Sequence, residues 1–275
     1  MALYAGTSAN SISIIAPGTN ADRPASPASG TLRFNTTTNS LDGYSTSWNS
    51  ISQVPLVTSG LVLSLDAGNT VSYPGSGTTW TDLSGNSNNG TLTNGPTFTN
   101  TSGGVIVFDG IDDFVNLGTG YTSMQTQTPT LGLWYKQTSI TSYHGVCGWC
   151  TWGTGGGFLI DSTGNNNTPT LNIGNGSWAS QMASTSSLGA NTWAYVVGTY
   201  DGSVLRLYVN GELKNSQNLV TSIGYSSKGF AIGRYYGNSP NSFTGQVGLV
   251  HMYNRALSAS EILQNFNAFR GRYGI

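Results

Sequence analysis

The stretch NTWAYVVGTYDGSVLRLYVNGEL, Asn191 to Leu213, decides the fold. Read with a period of two, it sets Trp193, Tyr195, Val197 and Thr199 on one face of a first strand, and Leu205, Leu207 and Val209 on one face of a second. Asp201-Gly202 supplies the positive backbone angles of a tight reversal. Asn210-Gly211 supplies them again, so a third short strand is expected from Glu212. Two such turns around a β-branched and aromatic run predict an antiparallel sheet with one buried face.

The same period extends outward. Leu61, Leu63 and Leu65 alternate as a first strand after a boundary at Gln53-Val54-Pro55. A long polar loop follows, with Trp80 and Leu83 as its expected anchors. Val105 to Phe108 reads as a buried strand turned by Asp109-Gly110, Phe114, Val115 and Leu117 begin another, and Leu131, Leu133 and Tyr135 alternate against Trp134. One helix is expected, late in the chain. Ser258 to Glu261 fits a capping box, Leu257 and Ile262 fit a hydrophobic staple, and Ile262, Leu263, Phe266 and Phe269 form an apolar face. Arg270 and Arg272 suit the negative end of its dipole.

A chain of 275 residues accommodates one large β domain with a small appendage. Charged residues are only 8% of it, against about 25% in an average globular domain, so its surface is mostly neutral and hydrogen-bonding. A formal net charge of -1, without a basic stripe, argues against nucleic acid or anionic membrane as partner. Met1-Ala2-Leu3-Tyr4 lacks the start of a signal peptide, and no apolar run approaches the ~18 residues of a membrane helix, so a soluble protein is expected. Two cysteines, Cys147 and Cys150, are too few for a disulfide scaffold.

Residues 1 to 57 differ from the rest. Short apolar runs alternate with Pro17-Gly18, Arg23-Pro24, Ser26-Pro27 and the turn Asn35 to Asn39, which predicts short strands with little to bury among themselves. Such hairpins are marginal alone and are expected to pack on a neighbour. Arg33, Phe34, Tyr44 and Trp48 are the candidate interface residues, since aromatics are scarce in disordered leaders.

RPASPASGTLRFNTTTNSLDGYSTSWNSI, Arg23 to Ile51, resembles a segment of neck, whisker and tail-fibre proteins of contractile-tailed bacteriophages, notably those infecting cyanobacteria. Arg23-Pro24, Gly30, Arg33-Phe34-Asn35, Thr36 to Thr38, Gly43-Tyr44, Trp48 and Ile51 carry that resemblance. It implies an assembly module, virion proteins as partners, a homotrimer, and a place in the virion after assembly in the host cytoplasm. LVLSLDAGN, TWTDLSGNSNNGTL, VFDGIDDFVNLG, TWAYVVGTYDG, LYVNGEL and HMYNRALSASEI are similar to the laminin-G-like, concanavalin A-like jelly roll. The implied fold is all-β: an antiparallel two-sheet sandwich over 58–275, with an N-terminal β-hairpin module over 1–57 and one short C-terminal helix. The implied role is glycan or protein binding, and some relatives hold calcium.

Glucanases on this sandwich carry closely spaced glutamates, two carboxylates being needed to flank the bond. Glu212 and Glu261 are the only glutamates here, one in a hairpin turn and one in a helix cap, so no enzyme is expected. His144 or His251 would have to serve a Ser-His-Asp site, and neither lies near a nucleophile elbow; His251 reads as a partly buried strand residue. His144, Cys147 and Cys150 have the spacing of three zinc ligands but also read as packed free thiols beside a histidine. Asp109, Asp112 and Asp113, with Asp66 and Asp82 in the other polar loop, could converge on a structural calcium, against a reading as turn caps. No other cofactor is expected. Trp149, Trp152, Trp178, Tyr235 and Tyr236 lie among glycine and neutral polar residues, the surroundings that stacking on a sugar ring needs. A non-enzymatic phage structural protein that displays a jelly roll to a host-surface glycan or protein is the leading expectation. A lectin module of a secreted bacterial protein is the alternative.

Overall fold

The computed structural model describes the chain apart from residues 1–12, 30, 36–39, 45–47, 51–53, 139–143, 150–156, 164–166, 226–228 and 236–241. Met1–Leu56 with Asn267–Ile275 forms one compact unit, and Val57–Phe266 forms a second.

In the first unit four strands, β1 (Ser13–Gly18), β2 (Thr31–Asn35), β3 (Ser40–Tyr44) and β4 (Trp48–Ser50), form a sheet in that order. β1 and β2 are parallel, joined by a crossover holding the short 3-10 helix Asn20–Asp22, and the other pairs are antiparallel. This departs from an all-hairpin module. Two prolines in Arg23 to Pro27 cannot donate ladder hydrogen bonds, which favours a crossover over a tight turn there.

The second unit is a sandwich. Its strands are β5 (Leu61–Asp66), β6 (Thr79–Trp80), β7 (Gly90–Thr93), β8 (Thr97–Thr99), β9 (Val105–Asp109), β10 (Phe114–Gly118), β11 (Thr130–Gln137), β12 (His144–Trp149), β13 (Gly157–Thr163), β14 (Thr168–Gly174), β15 (Trp178–Ala183), β16 (Trp193–Tyr200), β17 (Val204–Val209), β18 (Glu212–Asn218), β19 (Phe230–Ile232) and β20 (Thr244–Tyr253). One sheet runs β18-β17-β16-β11-β20-β9-β8, with β5 also on β20; the other runs β15-β14-β13-β12-β19-β10-β7-β6. All pairings in both are antiparallel. We call them the first and second sheet. Between them, Leu63, Leu133, Val196 and Leu207 of the first meet Val115, Phe158, Leu171 and Phe230 of the second in a continuous core. Burying each such side chain contributes about 1.5–3 kcal/mol.

The expected hairpin is present, with one correction. All eight residues of β16 are buried, so the strand has two covered faces rather than one. Ala194, Val196 and Tyr200 enter the core. On the other face the Tyr195 ring stacks on Trp134 with centroids 5.4 Å apart, and Trp134 stacks on Phe266 of the helix α1 (Ala259–Phe269) at 5.7 Å. The helix therefore covers the outer face of the first sheet. At the turns, Asn210 and Gly211 both take positive φ (52° and 82°), as a two-residue hairpin requires. At the earlier turn Gly202 alone does so, and Asp201 instead accepts the Ser203 and Val204 amides with its carboxylate.

The helix cap forms as its sequence predicts: Glu261 Oε2 accepts the Ser258 amide at 2.8 Å, and Ser258 Oγ accepts the Glu261 amide at 3.3 Å. Ile262 and Phe266 are buried, whereas Leu263 is exposed. Trp80 anchors the polar loop, fully buried; Leu83 does not, being exposed. Asp82 organises that loop in its place, accepting the Ser64, Ser84 and Asn88 amides. No helix among the described residues is long and apolar enough to cross a membrane.

Candidate ligand-binding face

With the helix on the first sheet, the outward face of the second sheet is the broad face on which to seek a ligand. β13 alternates Phe158 and Ile160 into the core with Leu159 and Asp161 outward. β14, in register, sets Asn172 opposite Leu159 and Thr170 opposite Asp161. Tyr235, just past β19, lies against Leu159 as a small apolar cluster separate from the main core. Gly145, paired with Asp161, makes room for it, because a Cβ at Gly145 would come within 2.7 Å of the Tyr235 amide nitrogen.

These residues form a buried polar cluster on an outward face. Asp161 is 1% exposed and accepts a hydrogen bond from the Tyr235 hydroxyl on Oδ2 at 3.0 Å. Burial pushes its carboxyl up to about 7; the Tyr235 hydroxyl and the nearby Asn172 amide pull the other way. The Asn172 amide is a side-chain hydrogen-bond partner of the Asp161 carboxylate, although Asp161 Oδ1 and Asn172 Nδ2, both buried, do not meet at ideal geometry.

The other expected residues fall elsewhere. Trp149 is a core residue, 1% exposed, with its ring edge-on to Tyr225 at 5.0 Å and Phe230 at 4.6 Å, so it offers no free face to a sugar. Trp178 begins β15 opposite Gly174, and only its backbone position is described. Trp152, Tyr236 and Cys150 lie outside the described residues. Cys147 packs in the core, where burial pushes its thiol well up, and His144 meets the Ser242 carbonyl through Nδ1 at 2.7 Å. His251 is buried on β20, between Ser64 and Gly132 of the flanking strands.

Asp109, Asp112 and Asp113 do come together, with carboxylate oxygens within 4.8 Å of one another. Their bonds are those of a turn: Asp109 Oδ1 accepts the Ile111 amide and Asp113 Oδ2 accepts the Asp109 amide. The Arg234 guanidinium, stacked 3.6 Å from the Phe114 ring centroid, interacts electrostatically with Asp112 and so already brings a cation to the cluster. Asp66 and Asp82 do not join it.

In the first unit Arg33 is wholly buried and donates to the Thr19 carbonyl of the crossover at 2.8 Å. Across the strand pair from it, the buried Asp42 binds Arg23 at 2.9 Å. Arg33 thus holds a hydrogen bond within its own module. Tyr44 is half-buried and pairs with Trp48; Phe34 pairs with Leu41, and of Phe34 and Trp48 the backbone alone is described.

The family model of the concanavalin A-like lectin/glucanases superfamily, in a laminin-G-like form, matches residues 109–263, more than half of the chain. The chain belongs to this superfamily. Among solved structures, this concanavalin A-like sandwich is similar to the binding domain of Paraclostridial Mosquitocidal Protein 1, with a TM-score of 0.61 at 15% identity over 76% of this chain and 52% of that one. It is similar to Trypanosoma rangeli sialidase in complex with sialic acid (TM-score 0.59, 19% identity, 76% of this chain and 33% of that one). It is also similar to domain 4 of AbnA, an extracellular arabinanase from Geobacillus stearothermophilus, in complex with arabinotriose (TM-score 0.59, 17% identity, 74% of this chain and 97% of that one). At these identities the likeness is one of fold. The chain spans about half the length of the mosquitocidal binding domain and a third of the sialidase chain. No curated protein matches it by sequence.

Asp161 and Asn172 escaped the sequence reading because an isolated aspartate or asparagine in a strand looks like any solvent-facing polar residue. The available signal was the alternation in FLIDST and TPTLNIG, which gives both residues the same face.

Proposed function

We propose that this chain is a non-catalytic carbohydrate-binding protein whose sandwich is mounted, through its first 57 residues, on a phage particle. The observation that carries the binding half is a concanavalin A-like sandwich in which both glutamates are committed elsewhere. Glu212 pairs with Lys214 at 2.7 Å, and Glu261 holds Arg255 and caps α1. A glycosidase needs two free carboxylates astride one bond, and neither glutamate is free for that work. The scarcity of charge suits a neutral sugar, recognised at short range by hydrogen bonds and apolar contact. Domain 4 of the arabinanase, bound to arabinotriose, and the sialidase, bound to sialic acid, support a saccharide as the class of ligand.

The mounting half rests on the N-terminal module and on the resemblance of Arg23 to Ile51 to phage appendage segments. A homotrimer, with other virion proteins as neighbours, follows from that resemblance. The rival reading, a lectin module of a secreted bacterial protein, shares the saccharide and lacks the particle.

Glycan-array binding and reducing-sugar release by the full chain test the first half: binding without hydrolysis is expected, and hydrolysis overturns it. Incorporation into particles tests the second. Deletion of residues 1–57 is expected to abolish incorporation while the sandwich still folds by circular dichroism; particles that still carry the truncated chain would overturn the mounting role of residues 1–57.

A further inference from the structure

We infer that Asn175 is a site of spontaneous deamidation, and that among the four Asn-Gly pairs of the chain the fold leaves this one open to the reaction while it restrains the others. The reaction needs no enzyme. The backbone nitrogen of the following residue attacks the side-chain carbonyl carbon Cγ and a C–N bond forms; the amide nitrogen leaves as ammonia, with the proton that the backbone nitrogen gives up. The cyclic succinimide then takes up one water at either carbonyl, giving aspartate or its backbone-extended isomer, isoaspartate. Glycine in the second position favours ring closure, because no Cβ hinders the approach and the backbone turns freely.

Asn89, Asn94, Asn175 and Asn210 each precede a glycine. Three of them are held by their side chains. Asn89 Oδ1 accepts the Asp82 amide at 2.9 Å, and Gly90 is buried in β7 opposite Trp80. Asn94 Nδ2 donates to the Asp112 carbonyl at 3.1 Å, and Asn210 Oδ1 accepts the Tyr195 amide at 2.9 Å. In each, Cγ reaches the glycine nitrogen only after a hydrogen bond has been broken. Asn175 is different. It lies with Gly176 and Ser177 in the exposed bend between β14 and β15, closed by the pairing of Gly174 with Trp178. Among the described residues neither the Asn175 side chain nor the Gly176 amide has a hydrogen-bond partner. Gly176 takes a φ of 122° with open space where a Cβ would stand, so the bend has room to adjust as the ring closes. The product adds one negative charge to a formal net charge of -1, a large change for a surface so poor in charge. Isoaspartate also lengthens the backbone of that bend by one carbon.

The test is incubation of the full chain in mildly alkaline buffer, native and unfolded in guanidinium chloride, followed by peptide mapping that scores deamidation and isoaspartate at all four pairs. In the unfolded chain the four are expected to react at comparable rates, since each presents the same two residues. In the native chain Asn175 is expected to lead the other three by about fivefold or more, the slowing that one hydrogen bond imposes when it must first be broken. A native protein in which Asn175 reacts no faster than the others overturns the inference. So does an equal lead in the unfolded chain, which would trace the preference to local sequence. Asn175→Gln keeps an exposed polar side chain and is expected to remove the main acidic species from isoelectric focusing of the aged native protein; persistence of that species also overturns the inference.

Discussion

The side chain of Asn265 accepts a hydrogen bond from the Val57 amide at 2.9 Å, tying the start of the sandwich to its C-terminal helix. The same side chain donates to the Tyr253 hydroxyl, which donates to the Val57 carbonyl, both at 2.9 Å, and the resulting ring is buried. Each member satisfies another. Asn265→Leu fits the space approximately but strands the Val57 amide without a partner. The expected cost is about 1–3 kcal/mol, read as a lower urea midpoint at unchanged denaturant slope.

Asp161 imposes a pH dependence of unusual sign for a carboxylate. Its folded value, about 7, lies above the ordinary 3.8 because burial penalises the charge, so the folded state holds the proton more tightly than the unfolded one. Its contribution to stability is fully present below about pH 4 and is lost as pH rises through about 7. Asp161→Asn is expected to remove that decline. The check is the difference between native and variant denaturation midpoints across this range, since subtraction cancels the other carboxylates.

Glu261 has the opposite sign. Bidentate contact with Arg255, at 3.0 and 2.6 Å, and the Ser258 cap hold its carboxyl down at about 2, below the ordinary 4.5. The stability it provides is present above about pH 4.5 and is lost as pH falls toward 2. Glu261→Gln is expected to cost about 0.5–2 kcal/mol at neutral pH, the range of a lost helix cap. Thermal melts at pH 7 and pH 3 are expected to show the variant's deficit shrinking in acid.

Cys147 is expected to be inert in the folded protein. It sits in the core, and desolvation suppresses the thiolate that reacts. In a Cys150→Ser background, Ellman's reagent is expected to detect no thiol in native buffer and one in guanidinium chloride. Fast native reaction would place Cys147 nearer the surface.

The sequence by itself determined the sandwich. Alternation of apolar residues in Leu61 to Leu65, Leu131 to Tyr135 and Leu205 to Val209, with Asn210-Gly211 in the turn, is a local property of strands and reversals. The Ser258–Glu261 cap was visible for the same reason, all its atoms lying within four consecutive residues. What only the tertiary structure decided is which face of each strand is covered, and by what. Trp149 reads as a binding aromatic among glycines, yet β13 and β19 flank its strand and carry its side chain into the core. Arg33 reads as an interface residue, and a crossover that no period announces brings the Thr19 carbonyl to it. Asp161 and Asn172 meet through the register of β13 on β14, and Tyr235 reaches them from the segment after β19, because side-chain period specifies a face whereas pairing order specifies the neighbours on it.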